Sequence, residues 1–274
     1  MSEFDEETPP HVICEKFLLE SPPGQFGAVL SDLKLLHPAL GDDLVDATLR
    51  QFNDMNLRVA DAGGHAVVTC PAGRIDEAHY VDAQAGAVVT VDHKAMTAER
   101  SAEPPLPGAT PEAAALRDAL QGALDAYAKR QFPDAAAAAF AKDASVSVVI
   151  SAEKLNLKNY WSGQWTSQWV VALGGGGATL AGEVKVHGHY FEDGNVQLVT
   201  EKKFAPAPVA AVAAKVCEEI ERMEGSVQEG LEAMYSSMSE DTFKAMRRVM
   251  PITRTKMNWS LSDVKLKQNL TAKR

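Results

Sequence analysis

The chain has 274 residues, 46% hydrophobic and 23% charged, and carries a net charge of −10. That is enough for one large domain or two small ones around a sizeable core, and the acidic balance disfavours nucleic acid as a partner. No apolar run reaches the roughly 18 residues that cross a bilayer, so the chain reads as not transmembrane. The opening MSEFDEETPP is acidic and lacks an apolar core, unlike a secretory signal or transit peptide. Cys14, Cys70 and Cys217 are scattered, odd in number and without a C-x-x-C spacing. This pattern argues against a disulfide framework or zinc site and for a reducing, cytoplasmic compartment.

Charge is unevenly distributed. Residues 243–274 hold nine Lys/Arg against the single acid Asp263, a net +8, which leaves 18 cations and 36 acids, or −18, for residues 1–242. An acidic body with a basic arm reads as a protein that presents its end to an acidic surface. The bland alternative is a solvated charge run.

Three short helices are expected first. Val12, Ile13 and Phe17 share a face of a segment between Pro9-Pro10 and Ser21-Pro22-Pro23-Gly24. Phe26, Val29, Leu30, Leu33 and Leu36 follow at helical spacing, and Leu44, Ala47, Thr48 and Phe52 mark a third helix after Asp42-Asp43. Short links between such helices favour an antiparallel bundle. Between 57 and 101 the runs HAVVTC, EAHYV and AVVTVDH predict a small antiparallel sheet. After the linker SAEPPLPGATPE, Thr110-Pro111-Glu112 supplies a cap, a first-turn proline and an acid at the positive end of a helix. Leu116, Leu120, Leu124 and Tyr127 then repeat until Phe132-Pro133.

From 144 to 204 the runs SVSVVIS, SQWVVAL, ATLAGEVKVHGHYF and NVQLVTEKKF predict successive antiparallel strands. Glu192-Asp193-Gly194-Asn195 supplies the positive φ angles of a tight hairpin. After Pro206 and Pro208, apolar residues from Val212 to Met238 recur by threes and fours. A helix reaching Met250 would be about 60 Å long, whereas five strands span about 20–24 Å. The helix would overhang the sheet unless a second subunit extends it.

Several features suggest chemistry without defining a site. Gly174–Gly177 is followed by no Lys-Ser/Thr and joins two strands, so it reads as a hairpin loop and not a phosphate loop. His187 and His189 project to one face of a strand, but no motif places a third metal ligand. G-x-S-x-G, H-E-x-x-H and paired-carboxylate signatures are absent. No enzyme and no cofactor are therefore expected. Trp161, Trp165 and Trp169 share a face whether the segment is helix or strand, which suits a packed core or subunit interface better than a ligand platform.

Three stretches carry a specific resemblance. Lys158 to Trp169, KNYWSGQWTSQW, is similar to the aromatic signature of F-actin-capping protein alpha subunits. His189 to Leu198, HYFEDGNVQL, resembles a second signature, and Met238 to Trp259 a third at the C-terminal end. Pro22-Pro23-Gly24-Gln25-Phe26 matches the turn into the family's second helix. The chain departs from the pattern where Gln164, Thr166 and Gln168 are uncharged and where Gly188 replaces a β-branched residue.

The resemblance implies an α+β fold with an N-terminal antiparallel helical stalk, a small β domain and a five-stranded antiparallel sheet. A long C-terminal helix crosses that sheet and a mobile amphipathic extension follows. The expected segments are a stalk at 1–57, a small antiparallel β domain at 58–109 and a connecting helix at 110–141. The sheet follows at 142–205, the long helix at 206–250 and the basic extension at 251–274.

It also implies a cytoskeletal heterodimer with a capping protein beta subunit, bound at the fast-growing (barbed) end of actin filaments. Actin contacts fall on Lys244, Arg248 and Arg254, then Arg247 and Lys256. Trp259, Leu266 and Leu270, within about 40° on a helical wheel, would enter an apolar groove. Anionic phosphoinositides would compete for the basic surface. The alternatives are a scaffold subunit that kept the fold without capping, or a tail that binds membranes or a calmodulin-type partner.

Overall fold

The computed structural model describes residues 8–175, 177–192 and 195–237. The chain divides into two compact units, residues 1–222 and 223–274.

The first unit opens with α1 (Pro10–Leu19), α2 (Phe26–Leu36) and α3 (Asp42–Met55). Prolines start and separate these helices as expected, because proline fits a first turn but not a helix interior. Cys14, Leu18, Leu33, Leu40 and Val45 form their common core, with Phe26, Val29, Leu30 and Leu44 around it. The inner faces differ from the sequence reading. Phe17 is 50% and Leu36 82% exposed, while Cys14 and Leu18 turn inward. Too many apolar residues crowd α1 and α2 for periodicity to choose one face.

The small sheet comprises β1 (Val59–Asp61), β2 (Ala66–Val68), β3 (His79–Asp82), β4 (Ala87–Asp92) and β5 (Thr97–Ser101), in the order β2-β1-β5-β4-β3. Its pairings are antiparallel except β1 with β5, which is parallel and corrects the wholly antiparallel expectation. That contact is only one residue pair, Asp61 with Thr97. It joins two hairpins, a non-local choice no local sequence signal encodes.

Helix α4 (Pro111–Gln131) is capped as predicted, the Thr110 hydroxyl accepting from Ala113 N at 3.3 Å. The main sheet follows as β6 (Ala136–Lys142), β7 (Ser145–Asn156), β8 (Trp161–Gly174), β9 (Gly177–Tyr190) and β10 (Val196–Val209), antiparallel throughout and in sequence order. The helix ends at Gln131, before Phe132-Pro133 as expected, and the alanine-rich run that the segment 110–141 included with it is an edge strand. Alanine favours helix in isolation, but here α4 supplies what the strand edge needs. Gln121 Nε2 donates to Ala137 O at 3.0 Å, Gln121 Oε1 accepts from Ala139 N at 2.9 Å, and Arg117 Nε donates to Ala139 O at 3.2 Å. Side chains of a helix thereby complete the ladder of a strand.

The sheet also runs past 205, and Pro206 and Pro208 lie inside β10 after a register shift between Phe204 and Ala207. Proline is tolerated there because β10 is an edge strand. Helix α5 (Ala213–Ser237) accordingly starts later than the expected 206, and its extension towards Met250 lies outside the described residues. Its first residues belong to the first unit, where Val216 and Ile220 are fully buried and Glu221 pairs with Arg130 at 2.8 Å. The second unit's described part is the rest of this helix, to Ser237.

Candidate functional site

Lys244, Arg247, Arg248, Arg254, Lys256, Trp259, Leu266 and Leu270, the residues expected to contact actin, all lie outside the described residues. The other motif segments lie on the main sheet and its supports.

Strand alternation divides the sheet into two faces. Trp165 and Trp169 lie on one, 7% and 1% exposed. Trp165 packs in a tilted arrangement at 5.5 Å from Phe132, which ends α4, and Trp169 likewise at 5.3 Å from Phe204 of β10. Trp169 can lie over the neighbouring strand because its cross-strand partner is Gly182. A Cβ there would meet Gln168 O and Trp169 Cε3 at 2.4 Å each. Trp161 is only part-buried and Tyr160, at φ 58°, is 44% exposed. The aromatic cluster is therefore chiefly sheet core.

The opposite face is polar and, around Gln164 and Thr166, equally buried. Gln164 donates from Nε2 to Asn56 O at 2.7 Å, just beyond α3. Arg58 and Glu153 form a part-buried ion pair. Burial pushes the Glu153 carboxyl above its usual range although Arg58 pulls it down. Gln164 and Thr166 are 6% and 5% exposed. Uncharged side chains fit these positions because a cation here would need its own buried partner.

Two of the sequence motifs meet on this face. Gln25, from the Pro22–Phe26 turn, donates from Nε2 to His189 Nδ1 at 2.6 Å. His189 Nε2 in turn donates to Asn195 Oδ1 at 2.9 Å, across the β9–β10 hairpin whose Asp193 and Gly194 lie outside the described residues. Phe191 stacks on His189 at 5.0 Å and meets Tyr160 edge-on at 5.6 Å. Gly24, at φ +77°, brings the turn against Leu155. The stalk is thus tied to the main sheet by residues 164 positions apart. Sequence reading singled out both motifs but had no signal for their contact.

Asp54 and two of the thiols are held in the fold's interior. Asp54 accepts from Tyr80 Oη at 2.7 Å and pairs with Arg74 at 3.0 Å, and its carboxyl is raised chiefly by burial. Burial pushes the Cys70 thiol up to about 12 and the Cys217 thiol to about 11, far from a reactive thiolate. His187 and His189 do share a face, yet among the described residues no three His, Cys, Asp or Glu side chains group as metal ligands.

A helical stalk and two sheets, joined by buried polar contacts, define an α+β protein. A family model described as F-actin capping protein alpha subunit matches residues 14–269. The chain belongs to that family. It is 32% identical over 254 residues to an F-actin-capping protein subunit alpha of Chaetomium thermophilum, covering 90% of each chain. It is 33% identical over 264 residues to that of Dictyostelium discoideum, covering 90% of this chain and 92% of the relative. A solved homodimeric actin capping protein alpha subunit from Plasmodium berghei shares the fold, with a TM-score of 0.68 and 18% identity over 81% of this chain and 91% of that one.

Proposed function

We propose that this chain is the alpha subunit of an actin capping protein, a cytoplasmic, cytoskeletal protein that blocks subunit addition and loss at the barbed end of filaments. It acts by binding, without chemistry of its own. The observation that carries the reading is the family match through residue 269, which takes in the basic segment as well as the fold. Lys244, Arg247, Arg248, Arg254 and Lys256 pair with acidic groups of actin, arginine bidentately, while Trp259, Leu266 and Leu270 dock in an apolar groove. Positive charge speeds encounter, so capping weakens as salt rises. Anionic phosphoinositides compete for the same charges.

The partner in this reading is a capping protein beta subunit. Strand β10 supports the need for one: it is an edge strand of 14 residues, and Val196 and Val199 are 63% and 54% exposed. Such an edge is a template for another chain. A second copy of this chain is the rival partner, favoured by the homodimeric state of the Plasmodium berghei protein. Mass spectrometry of the complex purified from the native extract decides between them.

The site is tested by reversing charge at Lys244, Arg248 and Arg254 together. The triple variant is expected to keep its fold and partner while capping affinity falls at least a hundredfold, about 3 kcal/mol at roughly 1 kcal/mol or more per charge-assisted contact. Unchanged affinity would remove these residues from the site.

A further inference from the structure

His187 and His189 occupy successive positions on the polar face of β9 and are 7% and 6% exposed. Their surroundings differ. His189 has partners for both ring nitrogens, Gln25 and Asn195. His187 has Gln197 on β10 as a hydrogen-bond partner, but its Nε2 is enclosed without one. Beside it a cavity of about 590 Å³ separates α1 from β9 and β10, walled by Val12, Leu19, Met55 and Val199. The charged groups facing His187 are Glu15, Lys16 and Glu20 from α1 and Lys185 from its own strand, with His189 two residues on. Glu20 lies 3.9 Å from Lys16. From α3 and its end come only the neutral Met55 and Asn56, and from β8 the neutral Gln164 opposite His187.

We propose that His187 makes the seat of α1 and α2 on the main sheet an acid-sensitive latch, closed while the imidazole is neutral and opened when it gains a proton. In the closed state a second ring proton has no acceptor, and the new charge sits near Lys185 and His189. In the open state water solvates it. The ring's pKa is lowered from 6.5, chiefly by burial, with Gln197 pulling upward and Lys185 and His189 pushing down. For a base depressed in the folded state, the latch is complete above about pH 6.5 and weakens progressively below it. Capping does not require this device; it would tune the stalk independently of the basic tail.

Hydrogen exchange of the full chain, purified with its partner, tests the proposal at pH 7.5 and 5.5 with rates corrected for intrinsic exchange. Proton uptake on opening, over one pH unit below 6.5, predicts faster exchange of 10–19 and 26–36 at the lower pH, by up to about tenfold for one full proton. Helix 111–131 serves as the internal control and is expected to stay unchanged. His187→Gln, neutral at both pH values, is expected to abolish the difference. Equal acceleration in that variant would overturn the latch. So would wild-type protein in which exchange is unchanged, rises uniformly, or rises instead at 87–101 around His93, another buried histidine.

Discussion

The two faces of the main sheet are built from the same strands and, around Trp165 and Gln164, are buried to similar depth, yet they hold their neighbours differently. The helix-covered face is apolar: Trp165 against Phe132, Trp169 against Phe204, with Gly182 clearing the space. The stalk-side face is polar, with Gln164 on a backbone carbonyl, the Arg58–Glu153 pair and the Gln25–His189–Asn195 chain. Dispersion and area burial stabilise the first without demanding one orientation. Hydrogen bonds stabilise the second little in net terms but penalise any other docking angle, because each buried group would lose its partner. One face therefore supplies stability, and the other fixes where the stalk points.

Trp169→Ala breaks the apolar face and carries the largest expected effect, about 3–5 kcal/mol of lost stability in urea unfolding, with the stalk docking unaltered. A loss below about 1 kcal/mol would mean the indole is poorly packed and the comparison misplaced.

A smaller effect sharpens the polar face. Arg58→Met leaves Glu153 buried without its cation and is expected to cost about 1–3 kcal/mol at pH 7, since both side chains are about a fifth exposed. Removing Arg58 raises the Glu153 folded-state pKa further above its value in the unfolded chain. A raised carboxyl destabilises the folded state when ionised, so the deficit shrinks as pH falls towards about 4.5. A deficit independent of pH would show that Arg58 acts through packing alone.

The apolar face and the stalk helices were largely legible in the sequence, because their signals are local. Pro9-Pro10 and Pro22-Pro23 punctuate α1 and α2, Thr110-Pro111-Glu112 opens α4, and β-branched runs mark β7 to β9. Misreadings arose where a distant element supplied what the local sequence lacked. The alanines of β6 form a strand because Gln121 and Arg117 complete its edge. The prolines of β10 are harmless because one side of that strand is unpaired among the described residues. Of the candidate site, the basic and amphipathic pattern of 244–270 was readable as charge and spacing, whereas the stalk-to-sheet contact joins residues with no local relation.

The measurement that tests the account most directly is seeded actin elongation in the presence of the complex purified from the native extract. Inhibition of barbed-end growth at nanomolar concentration, weakened by added salt and lost in the Lys244, Arg248 and Arg254 charge-reversal variant, is the predicted result. Undiminished elongation with a folded, partnered complex would contradict it and leave a chain that keeps the family fold without capping.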